Sequence, residues 1–209
     1  MTVGSLTWLI LHGIGTCAYA ASGAFVALQA RYRLTGVFIL GLTTSFGGGV
    51  IRNTIIGVPV IKLWDKDTLL LVVGTLTVLY LWSSRWIHQW KRWGLFFDSI
   101  GLASFSLQGA LYAGQYTGNV GMTVMAALFT GIGGGVIRDL LAGRKPIALL
   151  EEVHAILTVV VGLAMWVGRD LKNHNVLLLG LFTFVVVVRM YVIGRKSQTL
   201  GERYNKSSQ

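Results

Sequence analysis

The run Gly-Gly-Gly-Val-Ile-Arg occurs twice in this chain, at residues 47–52 and again at residues 133–138. The shift of 86 residues that aligns the two runs also aligns residues 12–57 with residues 98–143 without a gap, and 15 of the 46 paired positions are identical. Chance similarity between glycine-rich apolar segments explains scattered matches, but it does not explain an unbroken six-residue run in register. The chain therefore contains an internal duplication.

The composition around these runs is typical of a membrane protein. Hydrophobic residues make up 54% of the 209 residues, charged residues make up 12%, and the mean hydropathy is +0.65. Soluble domains carry about 25% charged residues, so this chain lacks the charge that a water-facing surface needs. The apolar windows are continuous rather than alternating, which predicts an all-α transmembrane fold of seven helices, at about 6–29, 34–57, 67–84, 94–115, 119–142, 147–168 and 174–194.

Each copy of the duplication contains three predicted helices, and an odd number of spans turns the second copy upside down in the membrane. We therefore predict two inverted three-helix repeats, related by a pseudo-two-fold axis in the membrane plane. The first repeat covers residues 1–88 and the second covers residues 89–170. A seventh helix at 171–195 lies outside the repeats, and a polar tail at 196–209 follows it.

The basic residues are distributed unevenly between the predicted loops. The net charge is +10, but short cytoplasmic loops of membrane proteins collect Lys and Arg, so we expect no nucleic-acid partner. Linkers one, three and five and the tail hold eleven basic residues, and the other linkers hold four. This places the N-terminus outside and the C-terminus in the cytoplasm. The basic and aromatic stretch at 82–93 is expected at the membrane interface, against lipid headgroups.

The glycine runs fall in the middle of the second and fifth predicted helices. Each glycine costs a helix about 1 kcal/mol relative to alanine. We predict that both helices are broken there and that the freed backbone carbonyls line a water-filled path. The alternative is that the glycines only allow close helix packing, as Gly131 and Gly135 would in a small-xxx-small pair. The glycines in question are Gly47, Gly48, Gly49, Gly133, Gly134 and Gly135.

Each glycine run is followed by an arginine, and a charged residue inside a span indicates function by default. Arg138 has a local partner in Asp139, whereas Arg52 is followed by the neutral Asn53. Arg52 could therefore reach Asp139 or the carbonyls of the opposing helix. Alternatively, both arginines extend to a membrane interface and act as structural locks.

Polar side chains near the glycine runs are candidate ligands for a cation that sheds part of its water shell. The same hydroxyls can instead bond to the preceding helical turn, and an acid at the start of a helix can act as a cap. Together with Phe46, which opens the first run, these candidates are Thr43, Thr44, Ser45, Thr130 and Asp98.

Sequence signatures of enzymes are absent, since the chain has no G-x-S-x-G, H-E-x-x-H or P-loop motif. Cys17 is the only cysteine, which excludes an intramolecular disulfide and a multi-cysteine metal site. We therefore expect no enzymatic activity, no cofactor and no tight metal site.

At these motifs the chain resembles the bacterial and archaeal members of the trimeric intracellular cation (TRIC) channel family, some of which are also labelled glycine transporters. The resemblance covers about residues 6–195. It rests on the two glycine–arginine motifs, on the Asp-x-x-Gly sequence that begins at Asp98, and on residues 144–146 followed by Glu152.

This resemblance implies a homotrimer in a prokaryotic inner membrane, in contact with lipids and with a pore inside every protomer. Helices one, two, four and five would line the pore, and the second and fifth would be bent at the glycines. The resemblance implies permeation by monovalent cations, K⁺ chiefly and Na⁺ also, with K⁺ bound only transiently. By motif position, Arg52, Arg138 and Asp139 would be the charged groups beside the path.

The chain departs from its apparent relatives at two positions. His12 and Asn53 stand where the relatives usually have acids, so the first repeat has lost both of its carboxylates. The lysine-bearing glycine motif of eukaryotic members is also absent, and their phosphoinositide site cannot be transferred. Two other classes stay open: a secondary transporter of a small zwitterion such as glycine, whose carboxylate half-helix amides would hold, and a non-conducting membrane scaffold.

Overall fold

The computed structural model describes residues 6–82, 90–170 and 174–207, and over these residues the chain is all-helical, as predicted. The centre of the interfacial stretch, residues 83–89, lies outside the described residues. The helices are α1 (Leu6–Gln29), α2 (Leu34–Ile56), α3 (Lys66–Trp82), α4 (Trp90–Thr117), α5 (Val120–Leu141), the short α6 (Ile147–Leu150), α7 (Glu152–Val167) and α8 (His174–Ser207), with 3₁₀ turns at Val60–Leu63 and Gly168–Asp170.

Four of the described helices are long and apolar enough to cross a membrane. They are α1, α2, α5 and the part of α8 from Asn175 to Arg195, while α7 is apolar but shorter. Large apolar side chains stay exposed on the outside of the bundle, among them Leu81 and Val167. Exposed apolar surface of this extent marks contact with lipid or protein. The chain is therefore a multi-pass membrane protein.

Glycines end the two central helices at positions that are 86 residues apart. Gly57 follows α2 in the left-handed conformation, with φ of 72°, and its N–H donates to the carbonyl of Asn53. Gly143, with φ of 70°, occupies the matching position after α5. Because a residue with a Cβ rarely adopts this conformation, glycine stops both helices at a defined residue.

The bundle is organised around α1, α2, α4 and α5, which pack against one another. Helix α3 packs on α1 and α2, α7 packs on α5 and α4, and α8 packs mainly on α4. The apolar core is divided in the same way. One cluster is centred on Leu40, Val72 and Leu76, and the other on Leu107 and Val161. The first cluster joins α3 to the central helices, and the second joins α7 and α8 to them, so the central helices lie between these outer ones.

The two glycine runs meet where α2 crosses α5, and both helices continue through them without interruption. The prediction that these helices are broken and leave carbonyls unpaired is therefore wrong. A Cβ on Gly48 would collide with the carbonyl oxygen of Thr130, and a Cβ on Gly134 would collide with that of Thr44. The structure thus realises the alternative of close packing. We call this contact the glycine crossing.

Contacts at the glycine crossing are reciprocal under the 86-residue shift. A Cβ on Gly47 would lie 2.7 Å from Ile137 Cδ1, and a Cβ on Gly133 would lie 2.7 Å from Ile51 Cδ1. The residue numbers run in opposite directions along the two helices, so α2 and α5 are antiparallel. No side chain other than hydrogen fits between the backbones here, which explains why the glycines are needed.

Replacing Gly134 with alanine is expected to destabilise the protein by about 1–3 kcal/mol, because the new Cβ has no space beside the Thr44 backbone. The matched control is Gly74→Ala in α3, where a Cβ meets nothing within 4 Å. Thermal unfolding of the purified protein in detergent measures both variants. A Gly134→Ala protein that melts like the parent would contradict the tight contact.

Candidate functional site

A cavity of about 500 Å³ opens between α1, α2, α3 and α4. We call it the vestibule. It lies beside the first half of α1 and the second halves of α2 and α4. Its walls combine aromatic rings with polar side chains. Among the lining residues are Trp8, His12, Thr16, Ser45, Phe46, Gly49, Arg52, Asn53, Lys62, Asp65, Asp67, Thr68, Gln108 and Tyr112.

His12 ties three helices together at the side of the vestibule. Its Nδ1 lies 3.0 Å from Oε1 of Gln108 on α4, and its Nε2 lies 3.1 Å from the hydroxyl of Thr68 on α3. The indole of Trp8 lies parallel to the imidazole, with ring centres 6.5 Å apart. This histidine is the positional counterpart of Asp98, 86 residues later.

Arg52 carries an uncompensated charge into the vestibule wall. Its Nε donates to Oδ1 of Asn53 over 3.0 Å, and its guanidinium lies over the Tyr112 ring, 4.2 Å from the ring centre. The side chain is not ion-paired with any carboxylate among the described residues, although Arg52 is only 5% exposed. It does not reach Asp139, and its guanidinium is buried within the bundle.

Asp65 contributes a negative charge to the same cavity, at the start of α3. Its Oδ1 accepts a hydrogen bond from the backbone N–H of Thr68 over 2.9 Å. Partial burial acts to raise the pKa of Asp65, but the hydrogen bonds from Thr68 outweigh it and hold the pKa below its usual value. Asp65 is therefore ionised at neutral pH.

The second repeat carries a dense group of charges where the first has the vestibule. Asp98 on α4 pairs with both Arg138 on α5 and Arg189 on α8. Arg138 also donates to the hydroxyl of Ser22 on α1. We call Asp98, Arg138, Asp139, Arg144 and Arg189 the ion-pair cluster. Ten residues of α1 separate His12 from Ser22, about 15 Å of helix, so the vestibule and the ion-pair cluster lie at different levels.

Asp139 holds the end of α5 to the segment that follows it. Its Oδ1 accepts from Nε of Arg138 and Nε of Arg144, each over 2.9 Å. Its Oδ2 accepts from the backbone N–H of Ile147 over 3.0 Å. In the first repeat Asn53 makes the related contact by donating its amide to the carbonyl of Pro59 over 3.3 Å. The geometry is kept while the charge is lost.

Arg189 joins α8 to the ion-pair cluster through a neutral histidine. Its Nη1 donates to the backbone carbonyl of Asp98 over 2.8 Å, and its Nε donates to Nε2 of His154 over 3.1 Å. Arginine has only donors, so Nε2 must accept. The Nδ1 of His154 lies 3.2 Å from the Glu151 carbonyl and donates to it. This pattern requires the uncharged imidazole.

Three buried hydroxyls lie without a hydrogen-bond partner among the described residues: Thr16 on α1, Ser104 on α4 and Thr130 on α5. Thr16 borders the vestibule, and Thr130 takes part in the glycine crossing. Buried polar groups in proteins nearly always have a partner. These hydroxyls are therefore candidates for binding water or a cation.

Most of the candidate residues fall into three groups. Ser45, Phe46, Gly49, Arg52 and Asn53 line the vestibule, and Asp98, Arg138 and Asp139 form part of the ion-pair cluster. Gly47, Gly48, Gly133, Gly134 and Thr130 lie in the glycine crossing, and Gly135 lies beside Asp98. Thr43 and Thr44 bond back to carbonyls of the preceding turn.

Some members of the site carry no signal in the sequence. Trp8, Thr68 and Tyr112 lie in apolar sequence windows that predict a membrane-spanning helix and nothing more. His154, near the start of α7, is not part of any sequence motif. Arg189 could have been found, because an arginine inside an apolar span needs a counter-charge. Within the described ranges, no group of three or more His, Cys, Asp or Glu side chains could hold a metal ion.

The fold and the site together define a helical membrane protein with a cavity lined by polar and aromatic side chains and with a buried ion-paired core. A family model described as glycine transporter matches residues 9–84 and again residues 95–170, a separation of 86 residues. The UPF0126 membrane protein YvgT of Bacillus subtilis is 42% identical over 88% of this chain and 91% of its own length. The UPF0126 inner membrane protein YadS of Escherichia coli is 34% identical over 75% of each chain.

Solved structures extend this similarity to proteins with a named activity. A prokaryotic TRIC channel crystallised in 0.5 M KCl aligns with a TM-score of 0.83 and 28% identity, over 90% of this chain and 96% of that one. A structure that addresses conductance through TRIC cation channels aligns with a TM-score of 0.77 and 30% identity, over 90% and 93%. The chain belongs to this family of prokaryotic TRIC and UPF0126 membrane proteins, which confirms the resemblance.

Replacing Asp98 with asparagine is expected to destabilise the protein by about 3–5 kcal/mol, because both Arg138 and Arg189 lose their shared counter-charge in a buried place. Thermal unfolding in detergent measures the loss. The control is Glu152→Gln, which removes an exposed acid at the start of α7. Equal melting temperatures for the two variants would contradict the role of Asp98 at the centre of the ion-pair cluster.

Proposed function

We propose that the protein is a monovalent cation channel that conducts K⁺ chiefly, and Na⁺ also, through a path inside each protomer. The observation that carries this proposal is the vestibule, a cavity with polar and aromatic walls that reaches between the central helices and does not extend to the ion-pair cluster. The relatives of known structure, at 28% and 30% identity, are named cation channels. Those structures are also described as channels and not as enzymes, which fits a protein without catalytic function.

The path runs from the vestibule along α1, α2, α4 and α5. A cation that leaves the vestibule passes the free hydroxyls of Thr16, Ser104 and Thr130, which replace part of its water shell. The helices keep their hydrogen bonds at the glycine runs, so glycine carbonyls do not serve as ligands in this state. Binding is transient, because hydroxyls alone hold a monovalent cation weakly.

The ion-pair cluster is the closed end of the path. Arg138 links α5 to Asp98 on α4 and to Ser22 on α1, so its side chain lies across three of the four pore-forming helices. A cation meets two buried guanidinium groups at this level. We infer that this structure represents a non-conducting state and that conduction requires Arg138 to leave Asp98.

The proposal extends to the arrangement of the helices in the membrane and to the assembly of the protomers. Elements that match under the 86-residue shift, and the antiparallel glycine crossing, support two inverted three-helix repeats followed by a seventh span. A bend of α2 and α5 at the glycines stays a prediction. The protein forms a homotrimer in the lipid of the prokaryotic inner membrane, with its N-terminus outside and its C-terminus in the cytoplasm. The name of YadS and the distribution of basic loops support this placement.

A second candidate is a transporter of a small zwitterion such as glycine. The name of the family model supports it. So does Arg52, whose guanidinium in the vestibule could receive a carboxylate. Unlike a channel, a transporter saturates with substrate and exposes its site to one side at a time.

Reconstituted protein distinguishes the two candidates. In proteoliposomes with a K⁺ gradient we expect K⁺ flux that does not need valinomycin, and in planar bilayers we expect unitary currents. Uptake of labelled glycine is measured in the same preparation, with protein-free vesicles as the control. Saturable glycine uptake without unitary currents would identify a transporter, and the absence of both signals would indicate a scaffold.

Replacing Arg138 with glutamine is expected to raise K⁺ flux by on the order of tenfold, the change that weakening a closed state by about 1.4 kcal/mol produces. The variant leaves Asp98 with Arg189 and Asp139 with Arg144, so the remaining buried charges stay paired. The control is Lys145→Gln, which changes an exposed residue shortly after the end of α5. Unchanged flux in a folded Arg138→Gln protein would show that the ion-pair cluster is not the closed end.

A further inference from the structure

We propose that the vestibule is a binding site for a small monocarboxylate, with Arg52 as the residue that receives the carboxylate group. Comparison of the two repeats within the chain carries this inference. Arg138 has two carboxylate partners, Asp98 and Asp139, and the residues at the corresponding positions near Arg52 are His12 and Asn53. Both arginines donate Nε to the side chain of the next residue, but Arg52 forms no ion pair with a carboxylate among the described residues.

A buried arginine without a counter-charge is costly, and a ligand can supply the missing charge. Arg52 uses its Nε–H on Asn53, and the four N–H groups on Nη1 and Nη2 make no hydrogen bond to the described residues. These groups form the planar fork that binds a carboxylate with two parallel hydrogen bonds. The Tyr112 ring, 4.2 Å from Cζ, fixes the plane of the fork.

The remaining walls of the vestibule favour a small organic anion. Trp8 and Tyr112, whose ring centres lie 6.2 Å apart, offer aromatic surface to a short carbon chain, and Thr16 lines the same cavity. The volume of about 500 Å³ is within the range of small-molecule sites. Asp65 and Asp67 line the same cavity. Together with Arg52 and Lys62 they leave the cavity without net formal charge, which disfavours a ligand with more than one carboxylate.

This inference does not depend on conduction. Binding at Arg52 is measured without a membrane, so a failed flux experiment leaves it standing, and its own failure leaves the cation path standing. If both hold, a bound carboxylate neutralises the charge that cations would otherwise meet in the vestibule. The ligand would then promote cation entry from the same side.

Sodium acetate is a suitable probe, and saturation-transfer NMR detects its weak binding to the full-length protein in deuterated detergent. The buffer contains sodium methanesulfonate, so that ionic strength is constant. We expect an acetate signal that saturates, and about tenfold weaker binding in Arg52→Gln. Chloride at equal concentration should displace little acetate. Loss of the acetate signal when chloride is added at equal concentration would overturn the assignment to a carboxylate.

Variants that restore the missing acid give the sharper test. Asn53→Asp places a carboxylate where Asp139 lies in the second repeat, and His12→Asp places one where Asp98 lies. Each should abolish acetate binding, because the protein now supplies the counter-charge of Arg52. Lys145→Gln, which removes an exposed cation outside the vestibule, should bind acetate like the parent. Gel filtration and thermal unfolding establish that each variant is folded. Acetate binding that persists in both acid variants and in Arg52→Gln would overturn the proposal.

Discussion

The close contact between α2 and α5 at the glycine crossing is the constraint on which the rest of the structure depends. Gly48 lies against the Thr130 carbonyl and Gly134 against the Thr44 carbonyl, so neither position accepts a Cβ. This contact sets the distance between the two halves of the bundle. The C-terminal parts of the two helices then lie at different levels of the bundle. Arg52 of α2 borders the vestibule, and Arg138 of α5 belongs to the ion-pair cluster. Separation of the two polar regions follows from the packing of the two helices.

Charge is balanced differently at the two levels. In the ion-pair cluster, Asp98 and Asp139 each receive two arginines, and the guanidinium groups hold five helices together, including α8. In the vestibule, a single buried arginine rests on an aromatic ring and an amide. Two copies that share a common scaffold therefore present different surroundings to an ion: in one the buried arginines are paired with carboxylates, and in the other the buried arginine borders a cavity.

Much of the architecture could be predicted from the sequence, because it depends on composition and on a repeat that is visible in register. The all-helical membrane fold, the helix limits near Gly57 and Gly143, and the importance of Arg52, Arg138 and Asp139 follow from local signals. The state of the glycines could not be predicted. A triple glycine permits both a broken helix and a close crossing, and only the position of the opposing backbone decides between them. An arginine inside the last span indicates that Arg189 needs a counter-charge, but the identity of that partner could not be predicted, because Asp98 lies 91 residues away.

The glycine crossing also limits how the bundle can rearrange. Because the two contacts share the same pair of helices, α2 and α5 cannot separate on one side without losing both. Helix α4 is held against α5 by a contact of the same kind, because a Cβ on Gly109 would collide with the carbonyl oxygen of Ala126. The two contacts join α2, α4 and α5 into one rigid centre, so a rearrangement of the bundle has to move these three helices together.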